Sequence, residues 1–255
     1  MKLALIPPKG LYNYCDSGYM GMALAHLVLG SHYAPENGYI ESFEPMHEKK
    51  RHIILDNGAA EGNMCTPDEL FRAAELVHAT EIVLPDELGD PAKTLVMAEE
   101  FFDKWKTEGY QYMVVLHAKS FVSGMAMVDL YADLPGVTTI GLPRSLLNID
   151  KSLRINLART IVDKYKERFK VHLLGTNVTW AKEIYFAAKY TPEIRSVDTS
   201  MPFNYAIAAR HLSNDSNEQI LRPAKYFDLD YKLLEAKDHL RYNIHRVKRW
   251  ANGLL

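Results

Sequence analysis

The chain has little cysteine and no long apolar run, and both shortages restrict the classes of protein it can belong to. Cys15 and Cys65 are the only cysteines in 255 residues, and two distant thiols form neither a disulfide framework nor a cysteine-based zinc site. No apolar run approaches the roughly 20 residues of a membrane-spanning helix, and the amino-terminal residues lack a secretory signal pattern. We therefore expect a cytoplasmic protein without a membrane partner.

An excess of charge of one sign is also absent, although the charge is unevenly distributed. The net charge is -2, so the molecule as a whole is not a polycation. From Arg222 to the end, however, eight Lys and Arg stand against four Asp and Glu. This segment is typical of an amphipathic helix with a solvated basic face, and it could also bind nucleic acid. Its interleaved aromatic residues are Tyr226, Phe227, Tyr231, Tyr242 and Trp250.

Seven short apolar runs recur along the chain and predict a parallel sheet. They are rich in Val and Ile and mostly apolar on both faces, which is typical of strands that helices cover on both sides. The segments between them have helical spacing, and two begin with a clear cap, at Thr66 and at Asp90. The seven runs span residues 3–8, 52–58, 81–87, 112–118, 137–143, 171–176 and 194–199.

Strand and helix alternate about every 25–30 residues, the length of a β-α unit, and this predicts a (β/α)8 barrel, either complete or incomplete. An open doubly wound sheet is the alternative. We interpret residues 9–51 as an insertion after the first strand, with a helix around residues 18–30. An eighth strand could lie in or after residues 221–229. The chain is interpreted as one domain, 1–255, with a C-terminal helical basic extension from about 222 to 255.

Three of the apolar runs end in an aspartate: Asp56, Asp86 and Asp198. The carboxyl ends of parallel strands gather at one mouth, where such folds carry their functional groups. His117 lies at the end of a further run and Arg144 follows another, and Arg144 could bind a phosphate or pair with a surface carboxylate. Three carboxylates at one mouth favour acid–base and nucleophilic chemistry on a polar ring or sugar.

The order of these motifs resembles the tRNA-guanine transglycosylase superfamily, and most closely its small phage-type branch, the DpdA proteins that insert 7-deazaguanines into DNA. The resemblance covers roughly residues 50–205. The chain lacks the cysteines of that family's structural zinc, which favours the DNA-modifying branch. The motifs are Asp56-Asn57-Gly58-Ala59-Ala60-Glu61, Asp86 in LPDELGD, His117, Gly141-Leu142, VHLLGTN, and Asp198 with Pro202 four residues on.

The resemblance implies a role for each residue. Asp198 would attack C1′ of a guanosine in DNA, and Asp56 would remove the N9 proton of an incoming 7-deazaguanine free base, the co-substrate. The target nucleotide would be flipped out of the duplex or single-stranded. No cofactor and no metal are expected. The implied substrate-binding residues are Asp86, His117, Gly141, Leu142 and Arg144.

Three other functions stay open at this point. The first is the same base exchange on tRNA, because the target base is identical in both polymers. The second is an unrelated barrel enzyme, such as an aldolase or a metal-dependent hydrolase that binds a divalent ion through Asp56, Asp86, His117 and Asp198. The third is a nucleic-acid-binding protein that uses the basic tail without catalysis.

Overall fold

Eight parallel strands form one sheet that curves into a nearly closed barrel. The computed structural model describes residues 1–105, 109–176, 181–213, 220–228, 230–231 and 237–255. The sheet order is β1-β8-β7-β6-β5-β4-β3-β2, and every pairing is parallel. This confirms the predicted (β/α)8 class. The strands are β1 (Lys2–Leu5), β2 (Gly21–Leu24), β3 (Ile53–Asp56), β4 (Glu81–Val83), β5 (Gln111–Val115), β6 (Val137–Pro143), β7 (Lys170–Leu174) and β8 (Ser196–Thr199).

Helices alternate with the strands. The capping box predicted at Thr66 is formed, because its hydroxyl accepts from the Glu69 N–H while the Glu69 carboxylate accepts from the Thr66 N–H. Asp90 caps the next helix in a similar way. The α-helices are α1 (Ala25–His32), α2 (Glu44–Glu48), α3 (Pro67–Leu76), α4 (Pro91–Lys104), α5 (Phe121–Ala132), α6 (Leu146–Ile149), α7 (Leu153–Tyr165), α8 (Ala181–Tyr190), α9 (Met201–Ile207) and α10 (Lys237–Ala251).

The eighth strand is β2, inside the segment predicted to be an insertion with a helix around residues 18–30. That helix begins only at Ala25, directly after β2 and without a side-chain cap. Residues 221–228, where an eighth strand could have been, form turns and irregular structure, and residue 229 lies outside the described part. A short apolar run that passes from strand to helix has no periodicity that separates the two, so the sequence does not reveal β2.

Strands β1 and β2 meet at an incompletely sealed seam. Only one bridge, between Ala4 and Met20, joins them in the described residues. The Leu3 carbonyl accepts from the N–H groups of Tyr19 (2.8 Å) and Met20 (3.3 Å). The sheet is therefore continuous from β2 through β3–β8 to β1, and only a few hydrogen bonds between β1 and the residues just before β2 close the barrel.

Two apolar layers surround the strands. Inside the barrel, a small cluster that includes Met22, Ile54 and Met113 fills the space below the mouth, and a larger cluster lies between the strands and the helices. Helix α10 buries one face, including Leu240 and Trp250, against the barrel. In the described residues, no helix is long and apolar enough to cross a bilayer.

Candidate functional site

A cavity of about 640 Å³ lies at the carboxyl ends of the strands. Its volume is typical of sites for small molecules. Five of the seven predicted site residues line it, drawn from the ends of five strands. They are Asp56, Asp86, His117, Arg144 and Asp198.

Asp198 is held by one oxygen and open at the other. Its Oδ1 accepts from the Gly175 N–H at 2.7 Å and lies 3.2 Å from His172 Nε2. Gly175 has a φ of 65°, a left-handed conformation that favours glycine and turns its N–H towards the carboxylate. Oδ2 has no hydrogen-bond partner within the described ranges, and the side chain is 13% exposed, at the cavity wall. Asp198 thus presents one fixed carboxylate oxygen to the cavity.

Asp56, unlike Asp198, is distinguished by the pKa of its carboxyl. Burial raises the pKa of its carboxyl well above the ordinary value, and the neighbouring carboxylates of Glu61, Asp198 and Asp86 raise it further. The only hydrogen bond it accepts from described residues is a 3.3 Å contact from the Gly58 N–H. A carboxyl with a raised pKa in the same cavity as a nucleophile is suited to general acid–base catalysis.

Gly58 makes the Asp56 turn possible. Its φ is 81°, and a Cβ there would lie 2.5 Å from the Asn63 carbonyl oxygen. Asn57, between Asp56 and Gly58, is almost fully buried. Its amide donates to the Leu84 carbonyl at 2.6 Å and to Asp86 Oδ1 at 2.7 Å. The turn after β3 therefore positions two carboxylates of the cavity: Asp56 at the end of β3, and Asp86 through the amide of Asn57.

Asp86 and His117 form a buried pair. Asp86 Oδ2 lies 2.7 Å from His117 Nε2, and both side chains are 4% exposed. His117 Nδ1 accepts from the Gly89 N–H at 3.3 Å, so a neutral His117 carries its proton on Nε2 and donates it to Asp86. Both ring nitrogens are thus occupied, and His117 orients Asp86 instead of facing the cavity with a free nitrogen.

Gly141 and Leu142 are not among the residues that line the cavity. A Cβ on Gly141 would meet the side chains of Met113 and Leu174 at 2.8 Å, deep in the barrel interior. Leu142 is fully buried in the outer layer. Strand β6 instead reaches the cavity through the three residues at and beyond its end, Pro143, Arg144 and Ser145.

Arg144 is exposed at the cavity rim. Its backbone N–H donates to the Leu174 carbonyl at 3.1 Å, which joins the ends of β6 and β7. In the part of the chain that the structure describes, its guanidinium has no ion pair with a carboxylate. It is therefore a cation that could meet an anionic ligand at the rim. Asn177, which the sequence also puts at the end of β7, lies outside the described residues.

A segment from the C-terminal extension also lines the cavity. Residues 220–222 form part of its wall, and Arg222 Nη2 lies 3.0 Å from Glu61 Oε1. The segment is anchored by the Tyr226 hydroxyl, which donates to the Ile6 carbonyl at 2.6 Å. Glu61 belongs to the motif that begins at Asp56, but nothing local in the sequence assigns Arg222 to it.

Arg154 supports the site from behind, and the sequence analysis missed it. This fully buried side chain pairs with Glu183 and donates to the carbonyls of Leu142, Leu174 and Gly175 at 2.9–3.0 Å. It thus holds the turn whose N–H binds Asp198. A signal existed, because Arg154 occupies a position that the apolar periodicity of α7 assigns to the buried face.

Asp198, His172 and Ser196 resemble a hydrolase triad, but burial separates them from such a role. His172 Nδ1 lies 2.7 Å from Ser196 Oγ, and both residues are 0% exposed. Ser196 therefore cannot reach a substrate, and of the three only Asp198 faces the cavity.

Among the described residues, no group of three or more His, Cys, Asp or Glu side chains is arranged to hold a metal ion.

Helix α10 carries five of the eight basic residues of the C-terminal extension. Its basic residues lie along the outer face, with Arg241 and Arg249 exposed. The Ala251 carbonyl accepts from the amino terminus of Met1, so the helix ends beside the start of β1, away from the mouth.

No protein-family model and no curated protein sequence matches this chain, so the family resemblance depends on its ordered motifs alone.

Proposed function

We propose that this chain is a base-exchange transglycosylase that replaces guanine in DNA with a 7-deazaguanine derivative. The observation that carries the proposal is the pair of unlike carboxyls in one cavity. Asp198 has a free Oδ2 held in a fixed direction, while the raised pKa of Asp56 keeps a proton available. Double displacement at a sugar carbon needs this combination of a nucleophile and an acid–base group.

The reaction balances with these two groups. Asp198 Oδ2 attacks C1′ of the target nucleotide, the C1′–N9 bond breaks, and Asp56 gives its proton to the departing guanine. Asp56, now ionised, takes the N9 proton of the incoming 7-deazaguanine. The new base attacks C1′, and the bond to Asp198 breaks. Two inversions at C1′ retain its configuration.

The remaining residues bind and orient the base. Asp86 accepts from the ring N–H and the exocyclic amine, a donor pair that guanine and 7-deazaguanine share. Asn57 and His117 hold Asp86 in position, each through one carboxylate oxygen. We assign the base edge to the turn after β6, from Pro143 to Ser145, because these residues line the cavity and Gly141 and Leu142 do not.

Cations at the rim are available for the phosphates of a flipped nucleotide. Arg144 and Arg222 both line the cavity, and Arg144 is without an ion pair in the described residues. A base inside duplex DNA cannot reach the cavity, so the nucleotide must leave the stack before Asp198 attacks. The flanking phosphates would then bind to these rim cations, with a strong dependence on salt.

The proposal is tested by trapping the covalent intermediate on guanine-containing DNA. We expect the wild-type protein to form a protein–DNA adduct that a 7-deazaguanine base resolves. Asp198→Asn should form none, because an amide is a poor nucleophile. Asp56→Asn should lose about 10²–10⁴-fold in the exchange rate, the usual contribution of general acid–base catalysis. Denaturing gels and nucleoside mass spectrometry measure the two effects.

Three outcomes would overturn the assignment. Full exchange by Asp198→Asn would reject the nucleophile, and loss of activity on adding a chelator would point to metal-dependent chemistry. A 7-deazaguanosine that appears in tRNA and not in DNA, in cells supplied with the base, would move the activity to RNA.

A further inference from the structure

A line of hydrogen bonds runs from the cavity to the opposite end of the barrel. It begins at Asp198 and passes through His172 and Ser196 to Arg195. His172 and Ser196 face each other in the register of β7 and β8. No step in the proposed reaction uses these three residues, and His172 and Ser196 are closed to solvent.

Arg195 is held firmly at the far end. Its Nη1 lies 2.6 Å from Glu81 Oε2 and 3.2 Å from Thr139 Oγ1. Burial opposes the ionisation of Glu81, but hydrogen bonding from His52 and the charge of Arg195 outweigh it and lower its pKa to about 2. Glu81 therefore stays ionised over the whole working range of pH, and the Arg195–Glu81 pair is a fixed anchor.

The direction of these hydrogen bonds follows from the two ends of the line, a guanidinium that only donates and a carboxylate that accepts. A guanidinium can only donate, so the Arg195 Nε–H bond of 3.0 Å makes Ser196 Oγ an acceptor. The serine proton is then free to point at His172 Nδ1, 2.7 Å away. Burial lowers the pKa of His172, and a neutral ring with an accepting Nδ1 has its proton on Nε2. That proton faces Asp198 Oδ1.

We infer that Arg195, acting through Ser196, determines which nitrogen of His172 is protonated and thereby fixes the direction of the Asp198 carboxylate. Two N–H donors, from His172 and Gly175, then hold Oδ1, and Oδ2 points into the cavity. This inference rests on the proposed function, in which Asp198 is the nucleophile. His172, Ser196 and Arg195 are positioning residues, because none of them touches the substrate.

The nitrogen of His172 that carries the proton can be identified without an activity assay. Long-range ¹H–¹⁵N correlation spectra of the histidine side chains distinguish the two neutral tautomers, and His172→Gln identifies the His172 signal by its loss. We expect the Nε2–H form in the wild-type chain. Ser196→Ala removes the donor to Nδ1 and should shift His172 to a mixture of tautomers. Thr139→Val is the matched control, since it touches Arg195 but leaves the line to Asp198 intact.

The consequence for the nucleophile is measured by the rate of adduct formation. We expect Ser196→Ala to lose about 10²-fold in that rate, the size of effect that misplacing a reacting group produces. The concentration of incoming base at which the exchange rate is half-maximal should be unchanged. His172→Gln keeps an N–H donor near the Nε2 position and should retain much more activity than His172→Leu. Thermal unfolding of each variant separates misplacement from loss of the fold.

The outcomes separate this inference from the proposed function. An Nδ1–H tautomer in the wild-type chain would overturn the inference, whatever the activity. An unchanged rate in a Ser196→Ala chain with a shifted tautomer would also overturn it. If the tautomers behave as expected and no DNA adduct forms in the wild type, the proposed reaction is wrong, while the control of the His172 proton by Ser196 stands.

Discussion

Asp56 shows how one side chain acquires a function from its neighbours. An isolated aspartate at a strand end would be ionised at neutral pH. Here burial and the nearby Glu61, Asp198 and Asp86 carboxylates raise its pKa well above that value. The same environment that makes Asp56 an acid also makes its ionised form costly in the folded protein, so function and stability are coupled at this residue.

We predict that Asp56→Asn is more stable than the wild type at neutral pH. The folded chain binds the Asp56 proton more tightly than the unfolded chain, whose pKa is about 3.9. The resulting stability is complete below that pH and is lost as the pH rises through the folded-state pKa. Asparagine cannot ionise, so its advantage should grow from about pH 4 to pH 8, by about 1.4 kcal/mol for each unit of the raised pKa.

Circular dichroism melts across this pH range measure the effect. A gain of about 2–4 °C at pH 8 corresponds to 1 kcal/mol in a domain of this size. Asp163, which is exposed, supplies the control. Its replacement by Asn should leave the pH dependence close to that of the wild type. A less stable Asp56→Asn chain at pH 8 would contradict the prediction.

At the scale of elements, α7 and α8 support the cavity by a buried ion pair. Arg154 extends from α7 to the carbonyls at the ends of β6 and β7, and Glu183 of α8 neutralises it. Burial raises the pKa of Glu183, and Arg154 opposes that rise. The two helices therefore fix the turn at Gly175, whose N–H holds the proposed nucleophile.

We predict that Arg154→Met costs about 3–5 kcal/mol in the free energy of unfolding, because it leaves the buried Glu183 carboxylate without its partner and removes one donor from each of three carbonyls. The double variant Arg154→Met/Glu183→Leu should be more stable than the single one, since it removes the unpaired charge as well. Urea denaturation measures both. Lys104→Met, which breaks an exposed pair with Glu100, should cost under about 0.5 kcal/mol. Equal losses in the two single variants would show that burial of the Arg154 pair is unimportant.

At the scale of the molecule, closure of the barrel depends on the seam between β1 and β2. Gly18 lies just before β2, and a Cβ there would be 2.6 Å from the Leu3 carbonyl oxygen. That oxygen accepts the bonds from Tyr19 and Met20 that join the two strands. The absence of a side chain at Gly18 therefore allows the two ends of the sheet to approach each other.

We predict that Gly18→Val opens this seam. The added atoms collide with backbone, so the variant should lose about 1–3 kcal/mol, as overpacked sites do. Hydrogen exchange at the Tyr19 amide should become faster, while exchange in β5 and β6 should change little. Gly30→Ala in α1 is the matched control. A Cβ there meets nothing within 4 Å, so alanine should stabilise the helix by about 0.5–1 kcal/mol. Unchanged Tyr19 exchange in Gly18→Val would disprove the role of the seam.

Local pattern was sufficient for most of the architecture. Seven of the eight strands and the caps at Thr66 and Asp90 follow from apolar runs and capping residues within a few positions. Strand β2 was missed because it runs directly into α1 as one apolar segment. Asp56, Asp86 and Asp198 could be assigned to one mouth because parallel strands align their carboxyl ends.

The sequence by itself determined the barrel class and the set of polar groups at its mouth, since both depend on periodicity and on strand ends. Only the tertiary structure decided how those groups are held. Arg195 meets Glu81 across 114 positions, and Arg222 meets Glu61 across 161. Such contacts leave no local pattern, because they join parts of the chain that only the tertiary fold brings together. The tertiary packing also raises the pKa of the Asp56 carboxyl, leaves Asp198 open at a single oxygen, and keeps Gly141 and Leu142 out of the cavity wall.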